Sequence, residues 1–122
     1  MISYEDFKKV EIKAGKILSA EKVPDTDKLL RLSVDFAENR EVTGEDGVVV
    51  AKPHVRQIIS GISAYFPDPQ LLVGKTCMFV TNLEPRVIRG LESQGMILAA
   101  KTDTGFSLLE PNDSIHPGAT AS

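Results

Sequence analysis

Leu30-Arg31-Leu32-Ser33-Val34-Asp35-Phe36 alternates apolar and polar side chains without a break. Successive side chains of a strand point to opposite faces, so Leu30, Leu32, Val34 and Phe36 share one side and Arg31, Ser33 and Asp35 the other. This is the pattern of an antiparallel strand with one face on a core and one in water. On its N-terminal side, Val23-Pro24-Asp25-Thr26-Asp27 reads as a turn, because proline presets φ and aspartates bond nearby backbone N–H groups. Before the turn, Glu11 to Lys22 reads as a second strand, interrupted by Gly15. A bulge at Gly15 would put Lys13 and Lys16 side by side on the outer face, with Ala14 and Ile17 inward. Ser3 and Asp6 form a capping-box pattern opening a short helix through Phe7 and Val10, whose apolar side is expected to plug one end of a barrel.

Beyond Phe36 the chain turns polar and acidic from Ala37 to Gly47, then apolar at Val48-Val49-Val50-Ala51, which predicts an exposed hairpin or extended loop. Arg56 to Ser63 predicts a strand, and Leu71 to Val73 a short helix that stops at Gly74 and caps the barrel. Thr76 to Thr81 is apolar on both faces and reads as a buried strand, followed by an irregular basic connection from Asn82 to Gly90. Met96 to Ala100 and Phe106 to Leu109 are the remaining strands, the latter expected to be the last. The small, polar tail from His116 to Ser122 is expected to fray unless a partner subunit holds it. Short strands with only brief helices predict an all-β chain, a small closed antiparallel barrel forming a single domain over residues 1–122.

Composition narrows the function. A 122-residue chain with 42% hydrophobic residues supports one ordinary core. A single cysteine excludes an intramolecular disulfide, and with only His54 and His116 beside it no metal or cofactor site is expected. No apolar run approaches the roughly 20 residues that cross a bilayer, and acids occupy the first positions where a signal peptide carries lysines, so a soluble cytoplasmic protein without membrane contact is expected. The net charge of -3 disfavours indiscriminate polyanion binding. A phosphate, however, senses the field within a Debye length of about 8–10 Å, so placement matters more than the total. From Gly74 to Lys101 the bases Lys75, Arg86, Arg89 and Lys101 face only Glu84 and Glu92, whereas Asp103 to Asp113 carries three acids and no base.

No catalytic constellation emerges. Gly90 and Gly95 share the spacing of a phosphate-binding loop, but Met96-Ile97 stands where Lys-Ser/Thr is needed. Asp25 and Asp27 belong to a turn, Cys77 to a buried strand and His54 to a loop.

Several blocks resemble the tRNA-binding domain family of the OB-fold class, found as free-standing tRNA-binding proteins and at the C-terminus of many methionyl-tRNA synthetases. They are Phe7 to Ile17, Pro24-Asp25-Thr26-Asp27-Lys28-Leu29, Arg56 to Ile62, and Asn82-Leu83-Glu84-Pro85-Arg86 with Arg89-Gly90 and Ser93 to Ala100. The resemblance implies a five-stranded antiparallel OB barrel with short capping helices and a C-terminal extension, a homodimer, and tRNA bound by shape without catalysis for a partner aminoacyl-tRNA synthetase. It implies RNA-facing roles for Ser93 and Met96, for Asn82, Arg86 and Arg89 in the loop, and for Lys13, Lys16 and Lys28 on the barrel. With no Trp, two Tyr and five Phe, base stacking is a poor candidate for the main term, which favours sugar and phosphate contacts to structured RNA. Glu84 and Val87 stand where the family often has bases, predicting modest affinity. The family also includes chaperone-like dimers that bind peptides, the alternative function. An apolar extension around Phe106, Leu108, Leu109 and Ile115 is a second ground for expecting a dimer.

Overall fold

A computed structural model describes residues 1–122. The order is a short helix α1 (Tyr4–Phe7), then β1 (Ile12–Lys22), β2 (Leu30–Thr43) and β3 (Val49–Ser60). Two 3-10 turns (Ser63–Tyr65, Pro69–Leu72) lead to β4 (Thr76–Val80). The rest is β5 (Arg86–Ile88), β6 (Leu91–Ser93), β7 (Met96–Ile97), β8 (Ala99–Lys101), β9 (Phe106–Leu108) and β10 (Thr120–Ala121). The main sheet runs β3-β2-β1-β4-β7, with β10 also on β1, and every pairing is antiparallel. The sheet curls into an OB-like all-β half-barrel.

The alternation in β2 decides the curl. Leu30, Leu32, Val34 and Phe36 are all buried and pack with Ile17, Ile58, Leu72, Cys77 and Phe79 in one cluster. Phe36 and Phe79 meet edge to face at 5.1 Å. Gly15 makes room for this ring, since a Cβ there would lie 2.5 Å from Phe36 Cε1 and 2.6 Å from Val34 Cγ1. Between β3 and β7 there is no strand ladder. Gln94 N–H donates to Gln57 O (2.8 Å), Gln57 N–H to the Gln94 side-chain oxygen (2.9 Å) and Ile59 N–H to Ser93 Oγ (3.0 Å), which closes the seam.

Several local expectations are corrected. The bulge in β1 lies between Ile17 and Ser19, not at Gly15, and Ile12 to Lys16 keep an unbroken register against β4. Lys13 and Lys16 therefore have opposite pleat parity and do not form a pair. Helix α1 has the expected capping box but buries no residue, so it plugs nothing; Phe7 and Val10 are exposed. Asn82 to Gly90 is not irregular throughout, for β5 and β6 form a tight hairpin in which Arg89 and Gly90 both take positive φ (52° and 79°). Two positive φ values match the twist of a two-residue hairpin, which is why glycine follows the arginine. The tail is not frayed, and β10 rather than the strand at Phe106 is the last: Ala14 N–H donates to Ala119 O and Gly118 N–H to Ala14 O, each 2.8 Å, and Ile12 pairs with Ala121. Its own chain supplies the partner, because β1 leaves that stretch of edge free before β2 takes over.

Candidate nucleic-acid interface

The β1–β2 turn is held from within. Thr26 Oγ1 donates to Val23 O (2.8 Å), and Ser63 N–H donates to Lys28 O (3.0 Å), which fixes the Lys28 backbone and leaves its side chain in solvent. Facing this turn is the β5–β6 hairpin. Asp25, Thr26, Asp27, Lys28 and Leu29 form one side of a recess whose other side is Ile88 and Arg89. Ile88 also lines a second, smaller recess with Ile59, Arg86, Ser93 and Met96. Lys28, Arg86, Arg89, Ser93 and Met96, separate in sequence, thus gather around Ile88. None of the three bases makes an ion pair within the chain. Their field is nevertheless offset, because Asp25, Asp27 and Glu84 line the same recesses.

Of the gathered residues Ser93 keeps its hydroxyl engaged within the chain, and the remaining sequence candidates, Asn82, Lys13 and Lys16, fall elsewhere. Ser93 is buried, accepting from Ile59 N–H and donating to Gly95 O (3.0 Å), so its hydroxyl holds the loop against β3. Asn82 accepts from Glu11 N–H (2.8 Å) and donates to Lys9 O (2.6 Å), tying the segment after α1 to the end of β4. Lys13 reaches Glu11 at 3.5 Å. Lys16 is exposed on the opposite side, in a polar recess with Lys75, Glu110 and His116.

Arg56 is the residue that sequence reasoning missed. It stands in phase with Ile58 on β3, so it points inward, and its guanidinium lies 5.3 Å from the Phe36 ring. It grips Glu38 with both carboxylate oxygens (2.7 and 2.8 Å) and donates to Thr81 O (2.6 Å) and Gln94 O (3.2 Å), the two ends of the β4–β7 connection. The available signal was an arginine at an inward position of an alternating strand. The Arg56 hydrogen bonds hold the Glu38 carboxyl below its ordinary range, against the opposing effect of burial. The Thr81 hydroxyl does the same for Glu11 at 2.6 Å. Cys77 is fully buried, and burial pushes its thiol up to about 11, so it is a packing group.

An OB barrel presents nucleic acid with the face of its second and third strands and with the loops joining strands one to two and four to five. Counting β7 as the fifth barrel strand, Lys28 lies in the first of those loops and Arg86 and Arg89 in the second. The fold is that of an OB-like module, and its candidate bases lie on the two loops just named. Residues 12–120 match the family model "Putative tRNA binding domain", and the chain belongs to this family. It is 48% identical over 118 residues, 97% of this chain, to a methionine-tRNA ligase of Methanoregula boonei, and it spans only 15% of that relative's length. Among solved structures it resembles a MetRS related protein from Pyrococcus horikoshii (TM-score 0.80, 32% identity, covering 100% of this chain and 98% of the other). A CsaA chaperone protein from Picrophilus torridus is also similar (TM-score 0.77, 27% identity, 100% of each chain). No helix is long and apolar enough to cross a membrane.

Proposed function

We propose that residues 1–122 form one non-catalytic domain that binds tRNA by shape, as a homodimer in the cytoplasm, and holds it for a methionyl-tRNA synthetase. The observation that carries this is the meeting of Lys28, Arg86 and Arg89 around Ile88, on the two loops an OB barrel uses, with none of the three neutralised by an ion pair. Guanidinium groups suit phosphate because they present paired donors in a fixed plane. Met96, half exposed beside Arg86, offers an apolar contact to a ribose or base face. Ser93 and Asn82 serve by shaping the loop. Holding tRNA near a synthetase raises its effective concentration and requires no chemical step. Exposed Leu109 and Ile115 support a homodimer, and sedimentation showing only monomer at high concentration would overturn that part.

The test is binding of labelled tRNA across a salt series, for the wild-type chain and for Arg86→Ala/Arg89→Ala, with a single-stranded RNA competitor. Preference for tRNA and a log–log salt slope shallower by about one per arginine removed support the proposal. Absence of tRNA binding even at low salt overturns it. The second function, a dimeric peptide-binding chaperone or scaffold, is favoured by the likeness to the CsaA chaperone protein and by the exposed Val87 and Glu84 in the same hairpin region. Protection of an aggregating client protein without tRNA affinity would select it.

A further inference from the structure

Beyond the barrel, β2 and β3 continue as a two-stranded arm, paired from Glu38↔His54 to Thr43↔Val49 and closed by a turn at residues 44–48. In sequence this stretch is acidic, but the fold sorts its charges. Because β3 is unbroken, Arg56, His54, Lys52 and Val50 lie on one face, the face that continues the barrel interior. Their cross-strand neighbours on that face are Glu38 opposite His54, Arg40 opposite Lys52 and Val42 opposite Val50. Glu38 is taken up by Arg56. Glu41 faces the other way, opposite Ala51, and Asp46 at the tip accepts from Val48 N–H at 3.1 Å.

What remains on the inner face is Arg40 directly opposite Lys52, both exposed and neither ion-paired. Like charges directly opposite in a ladder destabilise it, unless an anion lies across them. We propose that the inner face of this arm is a second phosphate-binding surface, in which Arg40 and Lys52 together hold the backbone of the same RNA; this rests on the tRNA-binding function proposed above. The charge balance favours it. The recesses around Ile88 offset Lys28, Arg86 and Arg89 with three carboxylates, whereas in the arm's ladder Arg40 and Lys52 stand opposite each other and the one carboxylate paired on their face, Glu38, is taken up by Arg56. From Leu30, beside the first loop, to Arg40 is ten residues of strand, about 30 Å at roughly 3.3 Å per residue. That is several Debye lengths, so the two surfaces act independently and add. A protruding ribbon is also the shape that tracks a nucleic-acid backbone from outside the barrel.

The experiment compares tRNA binding of the wild-type chain, Arg40→Gln/Lys52→Gln and Glu41→Gln across a salt series, with a photo-crosslinking side chain at Val50. Removing both phosphate-binding charges should weaken binding roughly 25- to 60-fold near 0.1 M salt, with the log–log slope shallower by about 1.4 to 1.8. Glu41→Gln should bind at least as well as wild type, and Val50 should crosslink to tRNA. The paired glutamines remove a repulsion, so a urea midpoint equal to or above wild type shows that the arm is intact. Unchanged affinity and slope in Arg40→Gln/Lys52→Gln, with wild type binding tRNA, overturns the arm and leaves the barrel site standing. If wild type itself ignores tRNA at low salt, the underlying function falls and the arm with it. Crosslinking of Val50 to a peptide but not to tRNA also overturns the proposal.

Discussion

Replacing Arg56 by methionine should be among the most damaging single changes outside the apolar core, and its cost should depend on pH. Methionine keeps much of the stem that lies over Phe36 but removes every donor. The Glu38 carboxylate loses two hydrogen bonds, and the carbonyls of Thr81 and Gln94 lose one each. Breaking a buried ion pair from one side costs about 3–5 kcal/mol. Here the Arg56 and Glu38 side chains are 16% and 24% exposed, so water partly repairs the loss and the lower end, about 3 kcal/mol at pH 7, is expected. With a urea slope of about 1.5 kcal/mol per molar, the midpoint should fall by about 2 M.

The pH dependence identifies the partner. Glu38 is held below its ordinary value of 4.5, so the pair's contribution is complete above that value and is lost as the pH falls through the lowered one. The stability gap between wild type and Arg56→Met should therefore be widest near neutrality and shrink below about pH 4.5, leaving only the part due to the carbonyls. Urea titrations from pH 7 to pH 3, with Glu38→Gln and the double variant completing a cycle, measure this. A gap undiminished at pH 3, or additive single effects, would show that Arg56 acts through the loop carbonyls and its stem, and would refute the account.

Gly15→Ala should destabilise by about 1–3 kcal/mol through overpacking, since the new methyl meets Phe36 and Val34 well inside contact distance; a urea midpoint at the wild-type value would mean the Phe36 ring swings away freely. Ser93→Ala orphans the Ile59 N–H and should cost about 1–3 kcal/mol; normal stability with lost tRNA binding would instead place the hydroxyl on the RNA. Cys77 should resist alkylation at pH 8 in the native protein and react fully in denaturant, and rapid native labelling would contradict its burial.

Elements whose partner is water or a generic core were legible in the linear chain. Strand β2 announced its buried face at Leu30, Leu32, Val34 and Phe36, and Cys77 announced its core position, because alternation and burial are one-dimensional signals. The blocks around Asn82 to Ala100 carried the family, and with it most of the candidate site. What the chain by itself could not determine was every feature that depends on which distant group arrives. Gly15 looked like a bulge, and only the arrival of Phe36 explains why a glycine stands there in an unbroken register. The tail looked frayed because its partner, the free edge of β1, lies about a hundred residues away in sequence. His54 looked like a loop residue, yet pairing of β2 with β3 set it opposite Glu38 and brought Arg56 onto that carboxylate. Residue type and spacing determine which face of a strand is buried. Register, pairing and the neutralisation of one charge by another are properties of contacts, and contacts between distant residues exist only once the chain has folded.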